Sequence, residues 1–153
     1  MSDLSNVGQL HGRTAIITGA SQGLGLEIAR RYVAAGASVM ICARDAELLS
    51  QAADELKSTI GKNQQIFSIA ADISEPDAVE DLIQSAVEKL GRIDILVNNA
   101  GVYGPKGTIE NVDWVEWVRA IDINLLGSVL MCRAVVLEMK KQGYGKIVQL
   151  SGG

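Results

Sequence analysis

A short apolar run, Thr14-Ala15-Ile16-Ile17, leads straight into Thr18-Gly19-Ala20-Ser21-Gln22-Gly23-Leu24-Gly25, and a helical pattern leads out of it. No other stretch constrains the fold as tightly. A strand that turns through glycines into a helix start is a phosphate-binding device. The first-turn N–H groups lack intrahelical partners, and the helix dipole favours an anion there. Each glycine has its own task. Gly19 permits the tight turn off the strand, Gly23 lets a pyrophosphate approach the backbone, and Gly25 lets the helix pack close to the sheet. The spacing is G-x-x-x-G-x-G, not G-x-G-x-x-G, and either spacing alone also fits an ordinary glycine-rich turn.

The rest of the chain repeats the strand–helix alternation. A first strand is expected over Arg13–Thr18, apolar on both faces as parallel strands are. The first helix is expected from Leu24 to Ala35, with Leu24, Ile28, Tyr32 and Ala35 on one face and Gly36 closing it. Ser38–Ala43 reads as the second strand. Asp45 caps the second helix, whose buried face is Leu48, Leu49, Ala52, Ala53 and Leu56. Ile66–Ala70 reads as the third strand. Ser74 starts the third helix by accepting from the Asp77 N–H, with Pro76 in the first turn and Gly91 at the end. Val79, Leu82, Ile83, Ala86, Val87 and Leu90 form its apolar stripe.

Ile93–Val97 reads as the fourth strand. Asp113 and Glu116 have capping-box spacing, which starts a fourth helix near Trp114 that runs to Lys141. Lys146–Leu150 is the fifth strand. Strands and helices alternate strictly, so right-handed crossovers give a doubly wound parallel sheet of Rossmann type, strand order 3-2-1-4-5. Ligands in such sheets bind at the carboxyl ends of the strands, at the switch point between strands 1 and 4. Gly19, Arg44, Asp72, Asn98 and Ser151 all lie at such ends. The expected division is a polar leader over 1–12 and one nucleotide-binding domain over 13–153, incomplete at its C-terminus.

With 153 residues the chain has room for one domain with a real core. Its net charge of -4 argues against nucleic acid as a partner. Cys42 and Cys132 lie far apart and His11 is alone, so no metal set is expected, and the cysteines read as small packed residues of a reducing, cytoplasmic compartment. Residues 1–12 lack a signal-peptide pattern, and Asp122, Asn124 and Arg133 break the apolar region 121–139, which reads as a buried helix and not a membrane span.

These motifs together resemble the N-terminal portion of a short-chain dehydrogenase/reductase, from Gly12 to the last residue. The resemblance rests on the Thr18–Gly25 turn, Asp72-Ile73, Asn98-Asn99-Ala100-Gly101, Asn124 and Lys146-Ile147-Val148-Gln149-Leu150-Ser151. It implies an oxidoreductase that moves a hydride between NAD(P)(H) and a small carbonyl or alcohol substrate, working as a homodimer or homotetramer. The turn, Thr18, Gly19, Ser21, Gln22, Gly23, Leu24 and Gly25, would hold the cofactor. Asp72 would accept from the adenine amine with Ile73 against the ring; read alone, the less favoured alternative is a solvated carboxylate on the approach to a helix. Asn98, Ala100 and Gly101 would line the ribose, the Asn-Asn-Ala-Gly turn tying strand 4 to the glycine turn.

Arg44 follows the position where the family's acidic residue stands, here Ala43. A guanidinium beside the ribose suits a 2′-phosphate, so NADP is preferred over NAD, although Gln22 stands where many NADP-preferring members carry a basic residue. Asn124 would position a water of the proton relay; Ile121, Leu125 and Val129 around it imply a buried amide in need of partners. Ser151 would hold the reacting oxygen, although Gly152 occupies the place of the second serine. None of Tyr32, Tyr103 and Tyr144 is followed by lysine at the fourth position, so the family's Tyr-x-x-x-Lys pair is expected beyond Gly153, together with the last strands. Such a fragment would be inactive. The alternative is a non-catalytic nucleotide-binding half-domain that senses cofactor or pairs with a longer relative.

Overall fold

The structure, a computed structural model, describes residues 9–151. The leader is therefore outside the described residues up to position 8. Leu10, within it, donates its N–H to the Ala35 carbonyl and packs against the core. Gly152 and Gly153 also fall outside.

The elements run β1 (Thr14–Thr18), α1 (Gly23–Ala34), β2 (Ser38–Ala43), α2 (Ala46–Lys57), β3 (Ile66–Ala70), α3 (Pro76–Leu90) and β4 (Ile95–Asn98). Then come α4 (Trp114–Ile121), a π-helical segment (Asp122–Gly127), α5 (Ser128–Lys141) and β5 (Lys146–Gln149). The sheet has five strands in the order β3-β2-β1-β4-β5, and every pair is parallel. The expected topology is the observed one.

Both faces of the sheet are covered, which is why β1 is buried along its whole length, with Ala15, Ile16 and Ile17 at its centre. Ala15 and Ile17 join Val39, Ile41 and Val97 under α1 and α2, while Ile16 joins Met40, Cys42 and Leu96 under α3 and α5. Leu49, Ala52, Ala53 and Leu56 bury one face of α2, and Asp45 caps it by accepting from the Leu48 N–H at 2.9 Å. Asp113 caps α4 in the same way through Glu116, at 2.8 Å.

Three local expectations need correction. The buried face of α1 is Gly25, Leu26, Ala29 and Val33, and Leu24 is 62% exposed. A Cβ at Gly25 would collide with the Gly19 carbonyl oxygen and the Asn99 amide, so this glycine must face the turn, and that contact sets the rotation of the helix. Second, Ser74 does not cap α3. Glu75 holds that place with no side-chain cap, and Ser74 donates instead to Asp72 Oδ1 through its N–H (3.0 Å) and its hydroxyl (2.7 Å). A carboxylate two residues away is the stronger acceptor and claims the hydroxyl. Third, the segment around Asn124 is not deeply buried: Ile121, Leu125 and Val129 are 44%, 55% and 53% exposed, and Asn124 is exposed too. Apolar periodicity reports a face, not what covers it.

The stretch Trp114–Lys141 is long and apolar enough to cross a membrane, with mean hydropathy 1.8. In this fold it lies along the sheet and places Met131, Val135 and Met139 in the core.

Candidate functional site

The glycine turn is built by a partner distant in sequence. Gly19 has φ +64, and a Cβ there would sit 2.7 Å from the Ala100 Cα. Both the conformation and the close approach demand glycine. Asn99 crosses from the end of β4 and donates its side-chain amide to the carbonyls of Thr18 (3.0 Å) and Gly19 (3.1 Å). Thr18 answers: its hydroxyl accepts from the backbone N–H of Asn99 and of Ala100, both at 3.0 Å. The turn after β1 and the turn after β4 are thus locked together at the switch point.

The lock leaves the first turn of α1 open. Gln22 is the N-cap residue, no side chain caps the helix, and no acidic residue stands in the first turn. Gly23 has φ +59, with nothing within 4 Å of the place a Cβ would take. Free first-turn donors with open space above them form a cradle for a phosphate group.

A cleft of about 550 Å³ opens at this point along the carboxyl ends of the strands. Gly19, Ser21 and Gln22 line it from the β1 turn, and Arg44 from the end of β2. Asp72 and Ile73 line it after β3, and Ala100 and Gly101 after β4. These are eight of the expected cofactor residues, brought together from four strand ends. Cys42, Ala43, Asp45, Leu48, Ala71, Val102 and Ile123 complete the walls. Of these, Cys42 and Ala71 had a legible signal, since each sits one or two positions from a strand end already singled out. Ile123 had none, because its reach depends on the π-helical segment.

Charge is arranged at one end of the cleft. Burial works to raise the Asp72 pKa, but the two Ser74 donors and the charges of Arg44 and Arg119 outweigh it, so the carboxyl is held below its ordinary value. Asp72 is therefore ionised at neutral pH, an acceptor facing the cleft beside an exposed guanidinium. Burial pushes the neighbouring Cys42 thiol up to about 12, with the Gly19 N–H acting against it, so this thiol is an inert wall.

The remaining expected residues lie around the cleft, not in it. Thr18 is fully buried behind the turn, and Gly25 is the wedge between α1 and Asn99. Leu24 faces solvent. Asn98 is not among the residues that line the cleft. It is 1% exposed, and its amide donates to Gln149 Oε1 at 3.0 Å, and to the Cys132 sulfur and the Ser128 carbonyl at longer range. Side chains alternate along a strand. Asn98 therefore shares the face of Leu96, under α5, and only Asn99 reaches the glycine turn.

Asn124 lies inside the π-helical segment, next to the cleft-lining Ile123. Its amide closes a two-bond clamp on the Val102 backbone, donating to the carbonyl and accepting from the N–H, both at 2.8 Å. A Cβ at Gly101 would lie 3.3 Å from Asn124 Oδ1, so small residues there let the clamp approach. Ser151 is exposed just past β5 and is not among the cleft-lining residues.

An open parallel sheet with a glycine turn and a cleft at its switch point defines a doubly wound α/β domain. The short chain dehydrogenase family model matches residues 13–153. The 7alpha-hydroxysteroid dehydrogenase of Escherichia coli (strain K12) is 36% identical over 143 residues, covering 94% of this chain and 54% of that enzyme. Among solved structures, NAD+-bound xylitol dehydrogenase superimposes with a TM-score of 0.86 at 28% identity, over 91% of this chain and 52% of the other. A metagenomic short-chain oxidoreductase in complex with NADP gives 0.83 at 35% identity, over 91% and 62%. The chain belongs to the short-chain dehydrogenase family. It spans about half the length of the curated relatives it matches.

Proposed function

We propose that this chain is the cofactor-binding part of an NAD(P)-dependent oxidoreductase that interconverts a small alcohol and its carbonyl compound. The observation that carries the reading is the braced glycine turn opening onto a cleft lined from four strand ends. The residues fit a dinucleotide. The uncapped first turn of α1 and the open space over Gly23 suit a pyrophosphate, Asp72 suits an adenine amine, and Ala100 and Gly101 leave room along the cleft. When bound, the nicotinamide ring would accept or supply the hydride. The names of the two ligand-bound neighbours agree with either cofactor.

Asn124 would hold the relay water. Its side-chain amide is committed to Val102, so that water would meet the main-chain carbonyl of Asn124, which also accepts from the Ser128 hydroxyl at 3.3 Å. Ser151 would hold the substrate oxygen from the end of β5. The working form would be a homodimer or homotetramer in the cytoplasm.

For the cofactor, Arg44 favours NADP(H) over NAD(H). It is exposed, it lines the cleft, and no acidic residue stands at Ala43 to hold a ribose hydroxyl. The test is calorimetric titration of the protein with NADPH and NADH, repeated on Arg44→Ala. NADPH should bind more tightly to the unaltered protein. The substitution should weaken NADPH about tenfold and NADH little, as loss of one charge-assisted contact predicts. Failure of both nucleotides to bind would overturn the functional reading, and equal losses would overturn the assignment of Arg44.

A further inference from the structure

Gly127 ends the π-helical segment and is buried. Its backbone is ordinary right-handed helix, φ -59 and ψ -43. Conformation therefore does not call for glycine here, and glycine is a poor helix former. Proximity does call for it. A Cβ on Gly127 would lie 3.0 Å from both Cγ1 and Cδ1 of Ile73 and 3.1 Å from the Ile73 carbonyl oxygen. The helix backbone rests directly on the loop that follows β3.

That loop is the wall of the cleft that carries Asp72. Ile73 is 4% exposed and packs with Val79, Leu82 and Met131 in the core under α3 and α5. It also lines the cleft. A close-packed interior yields little, so a side chain pushed from the Gly127 side moves toward the cleft that it already lines. Asp72 would move with it, since Ser74 ties both ends of the Asp72–Ser74 turn through two hydrogen bonds.

We infer that Gly127 is a positioning residue of the nucleotide site: having no side chain, it lets Ile73 and the adjoining Asp72 stand back from the adenine end of the cleft. The inference rests on the nucleotide reading proposed above. Through Gly127 and Asn124 one short π-helical segment touches two residues that line the cleft, Ile73 and Val102.

The test titrates 5′-AMP and NADPH into the unaltered protein, Gly127→Ala, Ile73→Val and the double variant, with a melting curve for each. Gly127→Ala should weaken 5′-AMP and NADPH alike, about tenfold. Ile73→Val removes Cδ1, one of the two side-chain atoms that the new methyl would strike, so the double variant should recover part of that loss, a coupling between the two sites that a general loss of stability would not produce. Unchanged 5′-AMP affinity in Gly127→Ala, or no recovery in the double variant, would overturn the inference. If the unaltered protein binds neither nucleotide, the functional reading itself fails and the inference with it. Hydrogen exchange on the unaltered protein needs no variant to fold. There 5′-AMP should protect residues 72–74 and 124–128 together, and protection confined to 72–74 would overturn the inference.

Discussion

Thr18 has one hydroxyl and serves two strand ends with it. Its oxygen accepts from the N–H groups of Asn99 and Ala100, and it faces the Val97 carbonyl at 3.4 Å. Thr18→Val keeps the shape and leaves two partly buried donors without an acceptor. Unfolding in urea should show a loss of about 2 kcal/mol, with Thr18→Ser close to the parent protein. At this scale Gly19 and Gly25 were legible from spacing alone, since a strand–turn–helix leaves few other reasons for glycine at those points. Asn98 and Asn99 look equivalent in a string of letters, yet their side chains have different surroundings. In the sheet they point to opposite faces, and only one meets the turn. Ser74 was misread because a hydroxyl can donate or accept, and the Asp72 carboxylate decides which.

Elements owe their placement to contacts that periodicity does not report. The cap residues Asp45 and Asp113 were readable because a cap is local, and the structure has both at work. The rotation of α1 was not, since it follows from Gly25 meeting Asn99. The π-helical segment left no mark in the sequence, although it brings Ile123 to the cleft and Gly127 to Ile73.

At the other end of the sheet, Asp94 joins β1 to the approach of β4. Its carboxylate is fully buried and accepts from Arg92, from Arg13 at 3.2 Å and from the Thr14 N–H at 3.0 Å. Burial works to raise its pKa, but the Arg92 and Thr14 donors and the charges of Arg92 and Arg13 outweigh it and hold it below the ordinary value. A depressed pKa contributes stability that is present above the unfolded value of about 4 and is lost as pH falls through the folded value. Asp94→Asn should therefore cost about 2 kcal/mol at neutral pH through weakened charge-assisted bonds. Melting temperatures measured from pH 7 down to 3 should fall less steeply for the variant than for the parent.

Over the whole molecule, the parallel order β3-β2-β1-β4-β5 was readable because strands and helices alternate strictly and each crossover has one favoured hand. The same order places β1 and β4 side by side although the α1, α2 and α3 units lie between them in the chain. Contacts so far apart in sequence form late, after loop closure has taken its entropic toll. Refolding followed in two ways should reveal this. Helix content should return in an early phase, whereas nucleotide binding should return only with the slowest one. Simultaneous recovery of both signals would contradict that order.

Asn99 lies 81 positions after the Thr18 carbonyl it holds. On the ribosome, therefore, the glycine turn is made long before its brace exists. Until Asn99 has left the exit tunnel, the segment that is to grip a dinucleotide is a loose, glycine-rich end of a three-stranded intermediate. Its binding competence is conferred by the fourth strand, so any early halt in synthesis yields a chain that carries the whole glycine motif and none of its grip.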